Sequence, residues 1–295
     1  MNMEHVKQSE KGVERIEPIK LLTAEDIKPI IPKKDGTVIV MQCNVQDYRG
    51  AEPGPVGIGK LTPESVEQER AIASKYFEGI IAQTPEAEKK DLVFMFVAAD
   101  TKLLTETGMQ NDSKRGVETA NLAMEEARRL LTERGLDEAQ IMNKNGKSFE
   151  ISQLQDLKFL RESPDFAQHL RDKYGTGLKF WLAFEEMFEE SKRAELGAEG
   201  PEQIADRVKN YLSVLANGMK KWHDKNPGKR VIVWTVSHRD NMGPYMKQEM
   251  NKTGQSLPKE DYLSIKKGGG FAISVAPDGK SATSDIQHRH FDIKL

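Results

Sequence analysis

The chain has 295 residues, ample for one large α/β domain or two modest ones. Hydrophobic residues make up 37% and charged residues 31%, and a net charge of −2 leaves no global basic field, which excludes nucleic acid as a favoured partner. No apolar run approaches the roughly 18 residues of a membrane span. The start, MNMEHVKQSEKGVER, has no signal-peptide core, and one cysteine permits no internal disulfide, so a cytoplasmic protein is expected.

Residues 1–36 are mostly polar and read as a tail with one short helix at TAEDIK. Residues 37–295 read as a single α/β domain. Its first strand is TVIVMQC, an almost unbroken β-branched and apolar run of the kind buried on both faces of a parallel sheet. Ligands of open α/β sheets bind at the carboxyl ends of such strands, which here brings Gln42, Cys43 and Asn44 forward. The Gly/Pro-rich stretch DYRGAEPGPVGIGK is a loop. A helix follows with Thr62 as N-cap, Pro63 at its first position and Val66, Ala73, Phe77, Ile80 and Ile81 as its apolar stripe.

A second buried strand, LVFMFVAA, spans 92–99, and a helix is expected from about Arg115 to Arg134. Strand–helix–strand–helix order predicts a mostly parallel central sheet with helices on both faces, a three-layer sandwich. From 135 to 200 the pattern loosens into helical pieces, SPDFAQHLRDKYG with Ser163 as its cap and LKFWLAFEEMFEES, read as a helical insert. The aromatics of the second are expected to pack inward. Pro201 opens a long amphipathic helix, and the strand RVIVWTVS ends at Ser237, His238 and Asp240. A helix at GPYMKQEMNKTG, a strand at GGFAISVAP, a hairpin turn at PDGK and a final strand to DIKL close the chain.

Several motifs are decoys. Residues 54–60 match G-x-x-x-x-G-K, but Leu61 stands where a magnesium-binding hydroxyl belongs, Pro55 removes a donor, and the preceding strand ended well upstream. His288 and His290 share a strand face without an acidic or cysteine partner nearby in sequence, so an exposed edge pair is expected rather than a metal site. His5, His169 and His223 sit in polar contexts, and no cofactor or metal is called for. Cys43 and Arg49 have five residues between them, the spacing of cysteine-dependent phosphatases, but the loop NVQDY lacks the small residues such a loop needs.

Three segments in order carry a stronger likeness. LTPESVEQERAIA, SKRGVETANLAMEEA and RVIVWTVSHRD, following the strand that ends in Gln42, resemble the histidine phosphatase superfamily of phosphoglycerate-mutase-like proteins. Leu61, Thr62 and Gln68 fall on the family's first helix pattern. Arg115, Glu118, Thr119 and Ala120 fall on its second, and Ser237 and His238 on the strand that ends in a histidine. The resemblance implies a phosphate pocket drawing on Arg115 and His238, with Gln42, Asn44 and Arg49 beside them, and an acid among Asp156 and Asp240. Where the family has Arg-His-Gly, this chain has Gln42-Cys43-Asn44, so charge, nucleophile and backbone access are all changed. A phosphate-binding domain without phosphohistidine turnover follows, its partner a phosphorylated small molecule or phosphoprotein. The alternative is a working phosphohydrolase in which Cys43, its thiol acidified by Arg115 and a protonated His238, is an altered nucleophile.

Overall fold

The computed structural model describes residues 22–45, 61–99, 103–104, 110–111, 114–154, 160, 162–252, 265–287 and 289–295. A seven-stranded mixed sheet organises them. Its strands are β1 (Thr37–Cys43), β2 (Leu92–Ala99), β3 (Phe149–Ile151), β4 (Arg230–Ser237), β5 (Gly270–Val275), β6 (Ser281–Ile286) and β7 (Arg289–Lys294). In space they run β3-β2-β4-β1-β5-β6-β7, parallel from β3 to β1 and antiparallel from β1 onwards. The architecture is α/β, with the parallel half on one side of β1 and an antiparallel meander on the other.

Alternation along the strands splits the core in two. Ile39, Met41 and Cys43 face the cluster containing Val208, Leu212, Met242 and Tyr245, from helices α6 (Pro201–Lys225) and α7 (Arg239–Lys252). Val38 and Val40 face the opposite cluster, filled by α1 (Pro63–Gln83) and α2 (Arg115–Glu133). There Phe77 meets Phe94 and Phe96 edge-on, and Tyr76 meets Trp234 at 5.1 Å, an aromatic arrangement that adds to plain area burial.

α1 begins as read, with Pro63 at its first position and Thr62 Oγ1 accepting from the Ser65 amide. Its buried stripe differs in one register. Val66 is half-buried, whereas Ser65, Glu69, Ala73 and Tyr76 turn inward with Phe77, Ile80 and Ile81. Five apolar anchors further along fix the rotation of the helix, and the first turns must follow it whatever residues they carry.

The stretch 135–200 is more varied than a helical insert. β3 adds an edge strand to β2 through Val97, Ala98 and Ala99. Helices α3 (Pro164–Tyr174), α4 (Leu178–Glu185) and α5 (Glu190–Glu195) follow, with a small core of their own in which Phe180, Trp181 and Phe184 pack inward as expected. The single helix read at LKFWLAFEEMFEES is broken where Met187 takes a left-handed φ of 53°. Ser163 stands at the N-cap of α3, yet its side chain makes no capping bond.

Two further differences lie near the sheet's end. α7 starts at Arg239, four residues before the expected Gly243, and tolerates Pro244 within it. The final strand is two strands, β6 and β7, joined where Gln287 takes φ 48°. The PDGK turn is a hairpin as predicted: Gly279 adopts φ +69°, and Asp278 Oδ1 accepts from the Lys280 and Ser281 amides. The seam between β1 and β5 depends on Gly270, because a Cβ there would fall 2.0 Å from the Met41 carbonyl oxygen. TAEDIK holds only a single 3-10 turn, Ala24–Asp26, capped reciprocally by Thr23 and Asp26. Among the described residues no helix is long and apolar enough to cross a membrane.

Candidate functional site

The ends of β1 and β4 lie side by side: Cys43 is in register with Ser237, and the Asn44 amide donates to the Ser237 carbonyl at 2.9 Å. α7 starts directly after β4, so His238 sits between a strand end and a helix start, its carbonyl accepting from the Asn241 and Met242 amides. α2 brings its first residue to the same place. Arg115 Nη2 donates to His238 Nδ1 at 3.3 Å. A guanidinium has donors only, so Nδ1 is the acceptor and carries no proton.

The segments of the resemblance meet around this point. The Leu61 amide donates to Glu118 Oε2 at 3.1 Å, tying the entry of α1 to α2. Gln68 Nε2 reaches the Lys267 carbonyl at 3.5 Å, and Thr119 Oγ1 donates to the Arg115 carbonyl at 2.7 Å. Lys267 lies in the turn that leads to β5, where the Gly268 amide donates to the Cys43 carbonyl and the Cys43 amide to the Gly269 carbonyl.

His238 is 1% exposed, and its pKa lies well below the ordinary histidine value. Burial is the main cause, followed by Arg115, Lys267 and Arg239, whose charges all oppose a protonated ring. Three cations therefore converge on a neutral imidazole. Asp240 Oδ1 lies 3.5 Å from Arg239 Nε.

Cys43 is also 1% exposed, and burial pushes its thiol up to about 11. Arg239 and Arg115 pull in the other direction, as expected of cations beside a thiol, and are outweighed; Asp240 adds to the rise. The thiol donates to Asn44 Oδ1 at 3.6 Å. Asn44 Nδ2 is buried without a hydrogen-bond partner among the described residues.

Gln42 turns to the other face of the sheet. It is 0% exposed, its Nε2 donates to Glu69 Oε2 at 2.7 Å, and its Oε1 accepts from Trp234 Nε1 at 2.8 Å. Both ends of the amide are thus committed within the protein. Glu69 is itself fully buried, and burial raises its carboxyl well above the ordinary range despite the hydrogen bond from Gln42.

Of the residues read from the sequence, the structure gathers Cys43, Asn44, Arg115 and His238, with Asp240 close by, and directs Gln42 elsewhere. Arg49 and Asp156 lie outside the described residues, as do His5, His288 and the 54–60 match. His169 is held by Glu189 at 2.9 Å, and His223 Nε2 meets Thr37 Oγ1 at 3.0 Å, both structural pairings. His290 pairs with Asp285 and Asp292 on the exposed hairpin, an acidic company the sequence reading missed. Two functional candidates were also missed. Arg239 was visible as the residue after His238, and its weight needed only a helix start one residue after the strand. Lys267, in KKGGG, gave no signal, since only tertiary pairing of β5 with β1 brings it here.

No family model matches the sequence, and no curated protein matches it either. Among solved structures, the chain is similar to a phosphoglycerate mutase from Bacillus anthracis, at 13% identity over 83% of this chain and 90% of that one, with a TM-score of 0.44. It is also similar to a mycobacterial glucosyl-3-phosphoglycerate phosphatase, at 12% identity over 84% of this chain and 97% of that one, with a TM-score of 0.41. The fold itself rests on the sheet order and register described above.

Proposed function

We propose that this chain is a histidine-phosphatase-like domain that binds a phosphoryl dianion at the ends of β1 and β4 without forming a phosphohistidine. The observation that carries this reading is the convergence of Arg115, Arg239 and Lys267 on buried His238. A dianion placed among them can accept charge-assisted hydrogen bonds from these groups. The first turn of α7 adds the positive end of a helix dipole. A phosphorylated small molecule or a phosphorylated side chain of a protein carries the matching group, and a reducing cytoplasm suits the unpaired thiol.

The loss of turnover is supported by β1. No imidazole stands at its end, and Cys43 is kept as a thiol by burial, a poor state for attack on phosphorus. Calorimetry should detect binding of inorganic phosphate to the purified protein, with negligible hydrolysis of p-nitrophenyl phosphate and no acid-labile phosphoenzyme. Brisk hydrolysis abolished by Cys43→Ser would replace this reading with the cysteine-nucleophile alternative.

A further inference from the structure

The sheet ends on β7, six residues long, whose only strand neighbour among the described residues is β6. Along an antiparallel strand the backbone groups point alternately to one side and to the other. The Leu295 amide donates to the Lys280 carbonyl, so Ile293, Phe291 and Arg289 also turn theirs toward β6. The N–H and C=O groups of His290, Asp292 and Lys294 therefore lie along the outer edge. Side chains alternate as well: Phe291 and Ile293 are buried, whereas His290, Asp292 and Lys294 are exposed. His290 and Asp292 keep 58% and 89% of their side-chain surface open to a partner.

Charges on an edge strand usually keep other chains away. Among the symmetric registers of β7 against itself, one reverses that role. A two-fold axis through Phe291 lays β7 antiparallel on β7 of a second copy, with His290 opposite Asp292 and Asp292 opposite His290. Both pairs fall where the backbone groups face outward, so each closes two N–H···O=C bonds. Moving the axis to Asp292 sets two carboxylates face to face and His290 against Lys294. Moving it to His290 sets two imidazoles together and shortens the overlap. An axis between residues sets exposed side chains opposite buried ones.

We propose that this chain self-associates through β7, the two edges pairing antiparallel about Phe291 so that the sheet continues across a two-fold axis. Asp285 on β6 already stands opposite His290 in the hairpin, its carboxylate 2.9 Å from Nδ1. In the dimer Asp292 of the second copy stands on the other side of the ring, and the row of carboxylate, imidazolium and carboxylate is repeated by symmetry. In the single chain Asp292 lies 3.5 Å from Nε2 of its own His290. On pairing it exchanges that neighbour for the histidine directly opposite, at the spacing of a cross-strand pair. The contact is one strand wide, which puts it at the weak end of specific interfaces and makes the dimer concentration-dependent.

The charged groups on the ring's face of the hairpin are Asp285, Asp292 and Lys294. Asp285 first, then Asp292, raises the affinity of His290 for a proton. A carboxylate directly opposite raises it further in the dimer. Association therefore takes up protons and weakens as pH rises through the histidine range.

Sedimentation over a range of concentrations should show a reversible monomer–dimer equilibrium, several-fold tighter at about pH 6 than at about pH 8. The amides of His290 and Asp292 should exchange more slowly as concentration rises. His290→Asp makes the edge acidic and Asp292→Lys makes it basic, and each variant alone should dimerise roughly tenfold more weakly at pH 6. Mixed in equal amounts, the two should pair with each other more tightly than either pairs with itself, because every opposed couple then has opposite signs. Both positions are exposed, so neither change threatens the core. His290→Lys should keep the dimer and lose its pH dependence. A monomer at every concentration and pH overturns the proposal. A dimer indifferent to the variants, or one that leaves the two amides exchanging freely, uses another surface and overturns it too. Slow exchange of those amides in a monomer means that the chain covers its own edge, which is equally fatal.

Discussion

The two faces of the sheet at the end of β1 bury ionisable groups with opposite results in chemistry and the same result in charge. On the α1 side, Glu69 keeps its proton; on the α7 side, His238 refuses one. Both are pushed toward the neutral form because each is buried. The difference lies in the company. Glu69 Oε2 meets an amide and, through it, an indole, partners that both belong to the fold. His238 meets three cations, an assembly that a ligand can complete. Burial alone does not mark a site; burial beside several groups of one charge is the arrangement on which the proposed pocket rests.

Stability against pH separates the two sides most strongly. The raised carboxyl of Glu69 means the folded state holds a proton that the unfolded chain releases above about pH 4.3, so its contribution falls as pH rises. The lowered ring of His238 means the unfolded chain takes a proton below about pH 6.5 that the folded state declines, so its contribution falls as pH drops. Urea midpoints at pH 6 and pH 9 should show Glu69→Gln removing a slope of at most about 1.4 kcal/mol per pH unit from the alkaline side. An unchanged alkaline slope would mean that Glu69 is not the proton holder.

Arg115→Ala should cost about 1.5–3 kcal/mol of sulfate affinity, the worth of a hydrogen bond to a charged group. Stability should change far less. A variant binding sulfate as well as the unaltered protein would remove Arg115 from the pocket and with it half of the contrast.

Gln42→Arg tests whether the α1 side is sealed. The new guanidinium should pair with Glu69, which then ionises, and sulfate affinity should stay within about twofold. Adding Glu69→Ala should leave sulfate affinity within about twofold as well, because position 42 faces Trp234 and the α1 layer. A tighter single variant would show that position 42 opens to the ligand. Cys43→Ala should matter least, leaving sulfate affinity within about twofold, and alkylation of the native thiol at pH 7 should be slow until the protein is unfolded.

Much of this was legible in the chain. The β-branched runs at 37–43, 92–99 and 230–237 identify strands buried on both faces, and strand ends pointed to Cys43, His238 and, through the following helix start, Arg115. What could not be read was side-chain direction and long-range pairing. Gln42 and Cys43 are neighbours, yet strand alternation sends them to opposite layers, and which layer carries the proposed pocket depends on where α2 and α7 begin. Glu69 is outside the apolar stripe read from the sequence, and carboxylates are rarely fully buried. Its inward place follows from the phase set by Phe77 and Ile80 further along α1.

The register of β1 carries a consequence for how the molecule is made. Thr37 pairs with Val231 on one edge and Val275 on the other, so the first strand of the sheet has no neighbour until most of the described chain exists. During synthesis an apolar, uncharged run with two open edges waits beside the ribosome, the kind of segment that recruits other copies of itself. Loops this long close slowly. Expression yield should therefore follow chaperone supply, and a chain stopped before β4 should collect in inclusion bodies, a hazard invisible in the finished sheet where β1 is its best-protected strand.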